Sequence, residues 1–174
     1  MIKNLIISFL LLFASIGANS QIRVGLYQDA KLAFYEDDYG NEPFTTDAVI
    51  IIKFFNGGNR ADSWSKNIMI YTSYEYADLA GGEYKRWGAG FGYEFNLWRF
   101  KIAPSYDYGF IIRGFTTQSS NVMLDLSFRI CDGLYINLLN SYTSRTDIGI
   151  WRHNMYAGLS ADTENIVKLL RLLR

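Results

Sequence analysis

The feature that most constrains this chain is alternation. Between residues 22 and 162, segment after segment carries apolar side chains at every second position, with small or polar ones between. Successive side chains of a β-strand point to opposite faces, so this pattern predicts strands with two unlike faces. After residue 20 there is no run of about 18 apolar residues, the length a membrane helix needs. Any insertion of this part into a bilayer must therefore use strands.

Eight segments carry the pattern: 22–35, 47–56, 67–78, 84–97, 100–113, 121–131, 134–143 and 151–162. In the first, Ile22, Val24 and Leu26 alternate with Arg23, Gly25, Tyr27, Asp29 and Lys31. The fourth sets Trp87, Ala89, Phe91, Tyr93 and Phe95 against Arg86, Gly88, Gly90, Gly92 and Glu94. Its three glycines make room for large neighbours inside a narrow barrel. The second is apolar on both faces, as a buried strand is. Pro104 lacks a ladder donor and predicts a bulge or local break in the fifth. Tight turns are expected at 96–99 and 132–133, and longer polar connectors at 36–46, 79–83, 114–120 and 144–150. Short turns on one side and long loops on the other are the habit of membrane barrels. The connector 57–66 departs from that rule.

Composition agrees with an all-β chain: aromatic content is 17%, with 13 Tyr, 12 Phe, 15 Gly and 2 Pro. Seventeen basic residues balance seventeen acidic ones, which argues against nucleic acid as a partner. The single cysteine, Cys131, excludes an internal disulfide and reads as a small packed side chain.

Residues 1–20 read as a cleaved secretory signal peptide. Lys3 precedes an apolar run over 5–13 broken only by Ser8, and Ala18, Asn19 and Ser20 fit a small-x-small cleavage site before Gln21. The chain then divides into a signal peptide (1–20), a barrel (21–162) and a basic amphipathic tail (163–174).

If the apolar set faces lipid, the other set fills the lumen. Its charges are Arg23, Asp29, Lys31, Lys53, Glu75, Arg86, Glu94, Lys101, Asp107, Arg113, Asp125, Arg129 and Arg152. An eight-stranded barrel is only wide enough for side chains to fill, and buried charges must be paired. These residues are therefore expected to form an ion-pair plug and not an open pore. Phe34, Tyr74, Tyr76, Trp87, Phe95, Trp98, Phe100, Phe110, Tyr142 and Trp151 lie near strand ends, where interfacial girdles belong.

No catalytic, cofactor or metal site is assigned. His153 is the only histidine, on the face of Trp151 and Met155, with no serine two residues away. Ser141, Ser144, Glu83 and Asp147 are the residues a hydrolase would have to recruit. The acidic segment 36–42 lacks the spacing of a calcium loop and reads as solvated surface.

With its signal peptide, eight alternating segments and aromatic strand ends, the chain resembles the small outer-membrane barrels of the OmpX-like and OmpA-barrel-like superfamily over residues 21–162. The resemblance implies an all-β, antiparallel, up-and-down transmembrane barrel in the outer membrane, with outer-membrane lipid as its surroundings. Members act as adhesins, envelope stabilisers, defence proteins and occasionally lipid-modifying enzymes. Gln21 directly after the cleavage site looks like exported proteins of the Bacteroidota. Many such barrels end in a strand with a terminal aromatic; here a tail follows. Asp162 or Thr163 is placed to cap a short helix, with Ile166, Val167, Leu169, Leu170 and Leu173 opposite Lys168, Arg171 and Arg174. That basic face suits a membrane surface, a partner envelope protein or the barrel mouth. The expected role is envelope structure or surface interaction without catalysis. A lipid-modifying barrel and a soluble periplasmic barrel with an apolar ligand are the alternatives.

Overall fold

Each alternating segment becomes a strand, and the strands close on one another. The computed structural model describes residues 21–36, 40–55, 67–79 and 82–163. Its strands are β1 (Gln21–Asp29), β2 (Asp47–Phe55), β3 (Ile68–Leu79), β4 (Gly82–Tyr93), β5 (Phe95–Leu97), β6 (Phe100–Arg113), β7 (Phe115–Cys131), β8 (Leu134–Arg145) and β9 (Ile150–Asp162). All pairings are antiparallel, in the order β4-β3-β2-β1-β9-β8-β7-β6-β5, and β4 also pairs β6. β4 and β5 are one stave interrupted at Glu94, because both pair β6 in a single register, Gly92 with Ser105 and then Phe95 with Ile102. The result is a closed eight-stranded barrel with no free sheet edge.

The two faces of this barrel differ sharply. Leu26, Trp87 and Leu159 are 59%, 54% and 54% exposed on the outside, while Arg23 and Asp107 are 1% and 0% exposed within. Val49, Ile51, Phe55, Met69, Tyr71, Met123 and Leu139 also point inward and form an apolar layer within the lumen. This is why β2 is apolar on both faces.

Strand ends depart from the sequence reading for local reasons. β1 stops at Asp29 and not at 35, because the Asp29 carboxylate accepts the amides of Lys31 (2.8 Å) and Leu32 (2.9 Å) and turns the chain. The expected connector 114–120 is strand: the β6–β7 hairpin turns at Gly114, with Arg113 paired to Phe115 and a φ of 74° at the glycine. At the rim far from residue 21, the only long connector among the described residues is therefore the one between β1 and β2. The other rim has tight turns at Trp98–Arg99 and Asp132–Gly133 together with the long β2–β3 connection. The expected contrast of short turns at one rim and long loops at the other is not what the strand ends give.

Pro104 does not break its own strand: β6 is continuous and Pro104 pairs with Leu124. The break falls in the neighbouring stave at Tyr93 and Glu94, across from Pro104 and Ala103. The missing N–H thus costs the ladder its bonds on that side only. Cys131 is exposed and not packed inside. A register irregularity between Arg129 and Cys131 resets the phase at the end of β7. The amphipathic tail, with Lys168, Arg171 and Arg174, lies outside the described residues. The Asp162 side chain is turned into the barrel, where it pairs with Arg23.

Candidate functional site: the charged lumen

The polar set of side chains meets in the lumen because the strands' inward phases are held in register. Near the rim that holds residue 21, Arg23 reaches Glu94 (2.6 Å) and Asp162 (2.8 Å), and Lys101 reaches Glu94 (2.9 Å). The Tyr135 ring lies 4.3 Å from the Arg23 guanidinium carbon and 4.6 Å from the Lys101 ammonium, a cation–π sandwich that desolvation strengthens. The interruption at Glu94 has a use here: the Glu94 amide bonds the Asn67 carbonyl (2.9 Å), and its side chain is buried against the two cations.

At mid-height Lys53 pairs with Asp125 inside the apolar layer. Asp125 also accepts from the Tyr27 hydroxyl (2.8 Å) and the Asn137 amide (3.1 Å). A charge pair in such surroundings persists only when its remaining lone pairs are satisfied, as they are here. One level further, Arg86 pairs with Asp107 and donates to Ser119 Oγ (2.9 Å), while Ser73 donates to Asp107 (3.2 Å). Gly88 leaves the space they need: a Cβ there would lie 2.9 Å from Arg86 Nη1 and 3.0 Å from Asp107 Cγ.

Toward the far rim, the Tyr156 hydroxyl lies 3.1 Å from Glu75 and 3.3 Å from Asp47, and accepts from the Asn154 amide (2.8 Å). Arg152 is 3.6 Å from Asp47. At the rim itself Arg145 grips Asp147 with two bonds (2.9 and 2.7 Å) and stacks on Tyr84, 4.0 Å from the ring centre. Arg113 reaches the same carboxylate at 3.9 Å. Burial alone would raise the Asp147 pKa, but the hydrogen bond and charge of Arg145, with Arg113 adding, hold it below the ordinary carboxylate range.

The lumen therefore brings together Arg23, Lys53, Glu75, Arg86, Glu94, Lys101, Asp107 and Asp125 among the sequence-derived charges. Asp29 is buried but spends its carboxylate on the turn after β1. Lys31 is exposed in that turn, because the strand ends before it. Arg113 and Arg129 are half-buried near opposite rims. Asp47, Arg145 and Asp147 are absent from the sequence-derived inward charges, and Asp162 stands on the inward face of the last segment without being counted among them. Asp47 shares the phase of Val49 and Lys53, Arg145 that of Ser141 and Thr143, and Asp162 that of Ser160. Extending each phase to its strand end finds those three; Asp147 stands in a turn, where no period applies.

His153 is outward, paired across the ladder with Tyr142, on whose ring Trp151 stacks at 5.1 Å. Ser141 points inward and bonds Asn121 and Thr143, and Asp147 is held by Arg145. His153, Ser141 and Asp147 do not meet. Among the described residues no group of three or more His, Cys, Asp or Glu is placed to hold a metal.

Comparison with known proteins adds the fold. The Yersinia pestis outer membrane protein Ail, solved in a phospholipid bilayer nanodisc, matches with a TM-score of 0.54 at 14% identity, covering 83% of this chain and 98% of Ail. This chain shares that fold. Neisserial surface protein A aligns at 12% identity over 82% of this chain and 94% of its own, with a TM-score of 0.42. No family model and no curated protein matches the sequence.

Proposed function

We propose that this chain is a small outer-membrane barrel whose lumen is plugged by ion pairs and whose role is structural or adhesive in the cell envelope, without catalysis. One observation carries the reading: the barrel buries its charges inside and exposes an apolar wall outside. Leu26, Ile50, Phe91, Leu124, Ile136 and Leu159 are exposed together with a belt of aromatic rings, while Arg23, Lys53, Arg86, Asp107 and Asp125 are buried. A water-soluble barrel inverts this order, since an exposed apolar wall of this extent is a membrane or partner surface. For the same reason the alternative of a soluble barrel around an apolar ligand has no support in the side-chain placement. Among the described residues no helix is long and apolar enough to cross a membrane; on this reading the strands cross it. The likeness to Ail, an outer membrane protein, favours the same location here.

On this reading residues 1–20 direct export and are removed. Lipid surrounds the wall, and rings such as Trp98, 81% exposed at a turn, anchor it at headgroup depth. Lys168, Arg171 and Arg174 of the tail engage the membrane surface or another envelope protein. Nucleic acid has no place among the partners.

The test is expression with residues 1–20 intact, followed by fractionation of the envelope and gel electrophoresis with and without boiling. The reading expects the protein in the detergent-resistant outer-membrane fraction, with a mobility that shifts on heating. Release with the soluble periplasm would overturn it.

A further inference from the structure

One amide in the apolar wall has nothing to bond. Asn140 is the seventh of the twelve residues of β8, and its chain neighbours Leu139 and Ser141 are buried, so Asn140 points outward. Its ladder partners Leu124 and Met155 are exposed apolar residues, and on its own strand the outer face continues with Leu138 on one side and Tyr142 on the other. An amide carries two donors and a carbonyl acceptor, and lipid tails satisfy none of them. Among the described residues the Asn140 side chain has no hydrogen bond. We propose that the outer face of β8 and β9 is the interface of a homodimer, in which the Asn140 amides of two copies bond each other inside the membrane. The inference rests on the reading of the wall as lipid-facing.

Other polar side chains of these strands are satisfied from within the chain. On the inner faces of β7, β8 and β9, Asn121 accepts from Ser141 (3.0 Å), Asn137 donates to Asp125 (3.1 Å) and Asn154 donates to the Tyr156 hydroxyl (2.8 Å). On the outer face, Thr72 Oγ1 donates to the Gly88 carbonyl and Gln28 to the Thr45 carbonyl, each at 3.1 Å. Asn140 has no such outlet, and a polar group left unbonded in hydrocarbon is costly. Headgroups stay at the level of the rims, and β8 runs on past Asn140 to Arg145. A second copy supplies what is missing. Two barrels inserted in the same sense are related by a two-fold axis along the membrane normal. Such an axis keeps every residue at its own depth, so Asn140 near the axis meets Asn140. An amide is its own complement: the N–H of each copy donates to the carbonyl of the other, and two bonds form together. The surface beside it suits a close approach. Ala157, diagonal to Asn140 on β9, presents only a methyl outward, and Met155 is unbranched and adapts its shape.

The experiment uses the full mature chain folded into phosphatidylcholine vesicles. Cys131, which is exposed, carries a donor or an acceptor maleimide dye, and energy transfer is followed as the protein-to-lipid ratio is lowered. The parent is expected to show transfer above the level of random encounters, saturating with protein density. Asn140→Leu should weaken association by about fivefold or more. Asn140→Gln, which keeps the amide, should retain more of it, and Thr72→Val, which removes a hydroxyl already bonded within the chain, should leave it unchanged. Retained heat-dependent mobility shows that each variant is folded. A second measurement needs no change at Asn140: in a Cys131→Ser background, Ala157→Cys should give disulfide-linked dimers on oxidation. Ala89→Cys, exposed on β4 at the opposite side of the barrel, should stay monomeric. Transfer at the random level in the parent, equal association in Asn140→Leu, or equal cross-linking at the two alanine positions would overturn the interface. Flotation of the vesicles separates the two readings. Protein that floats with the lipid without specific transfer overturns the dimer alone, and protein that does not float overturns the membrane reading and the dimer with it.

Discussion

The two ends of the lumen solve one problem in different ways. Near residue 21, Arg23 forms short, buried pairs with Glu94 and Asp162, Lys101 adds a part-buried one to Glu94, and the Tyr135 ring lies against both cations. At the far mouth Arg145 grips Asp147 at 2.7 Å, while Arg113 and Arg152 stand 3.9 and 3.6 Å from Asp147 and Asp47 beside a cavity. The first arrangement is what plugging a barrel requires: charges removed from water must be matched at contact distance or they cost several kcal/mol each. The second keeps cations partly solvated and leaves room between them. The difference teaches which end bears the fold: the pairs near residue 21 are the tighter in contact, and the far mouth leaves a cavity beside its arginines.

Several substitutions sharpen that comparison or break it. The largest effect is expected for Arg23→Ala, which leaves Glu94 and Asp162 facing each other without their shared cation. Equilibrium unfolding in urea should show a loss of about 3–5 kcal/mol, whereas Arg113→Gln at the loose end should cost under about 1 kcal/mol. Equal losses at the two ends would erase the distinction. Gly88→Ala comes next. Its Cβ would crowd Ser73 Oγ at 2.7 Å as well as the Arg86–Asp107 pair, and overpacking of this kind costs about 1–3 kcal/mol in the same assay.

A smaller effect concerns acid. Asp147, in the turn between β8 and β9, has its carboxyl held below the ordinary range. Burial opposes this, and the Arg145 hydrogen bond and charge overcome it. A depressed carboxyl stabilises the fold fully above the ordinary aspartate value of about 3.9 and loses that contribution as pH falls through its own lower value. Asp147→Asn should therefore flatten part of the acid limb of a stability–pH curve. A curve superimposable on the parent's would detach the Arg145–Asp147 pair from stability. Smallest of all is Cys131→Ser, expected within about 0.5 kcal/mol because the side chain is exposed. The thiol of the folded parent should react readily with a maleimide, and slow reaction would return it to the interior.

How much of this was legible beforehand follows from what period 2 carries. Alternation says which residues share a face, and on that basis the closed eight-stranded architecture was readable. It is symmetric, however, and does not say which face is inside. The glycines and mixed charges of the 84–97 segment tipped that reading, because a narrow lumen needs small residues beside large ones. Strand ends were poorly legible, since they are set by single local events: the Asp29 side chain turning the chain, a one-residue turn at Gly114, an irregularity before Cys131. The charges missed at Asp47 and Arg145 lie at such ends. The mouth cavity was not legible at all, because Asn41, Arg113, Arg145 and Arg152 come from separate elements and meet only through barrel closure.

The central claim is that the apolar wall faces lipid. Leu26, Leu159 and Ile136 form one outward row across β1, β9 and β8. Nitroxide labels placed singly at Leu26→Cys, Leu159→Cys and Ile136→Cys, in a Cys131→Ser background in bilayers, would report which relaxing agent reaches each site. High accessibility to oxygen and low accessibility to a water-soluble nickel chelate is the predicted result at all three. Ready access of the nickel chelate to the row would contradict it and place the wall in water.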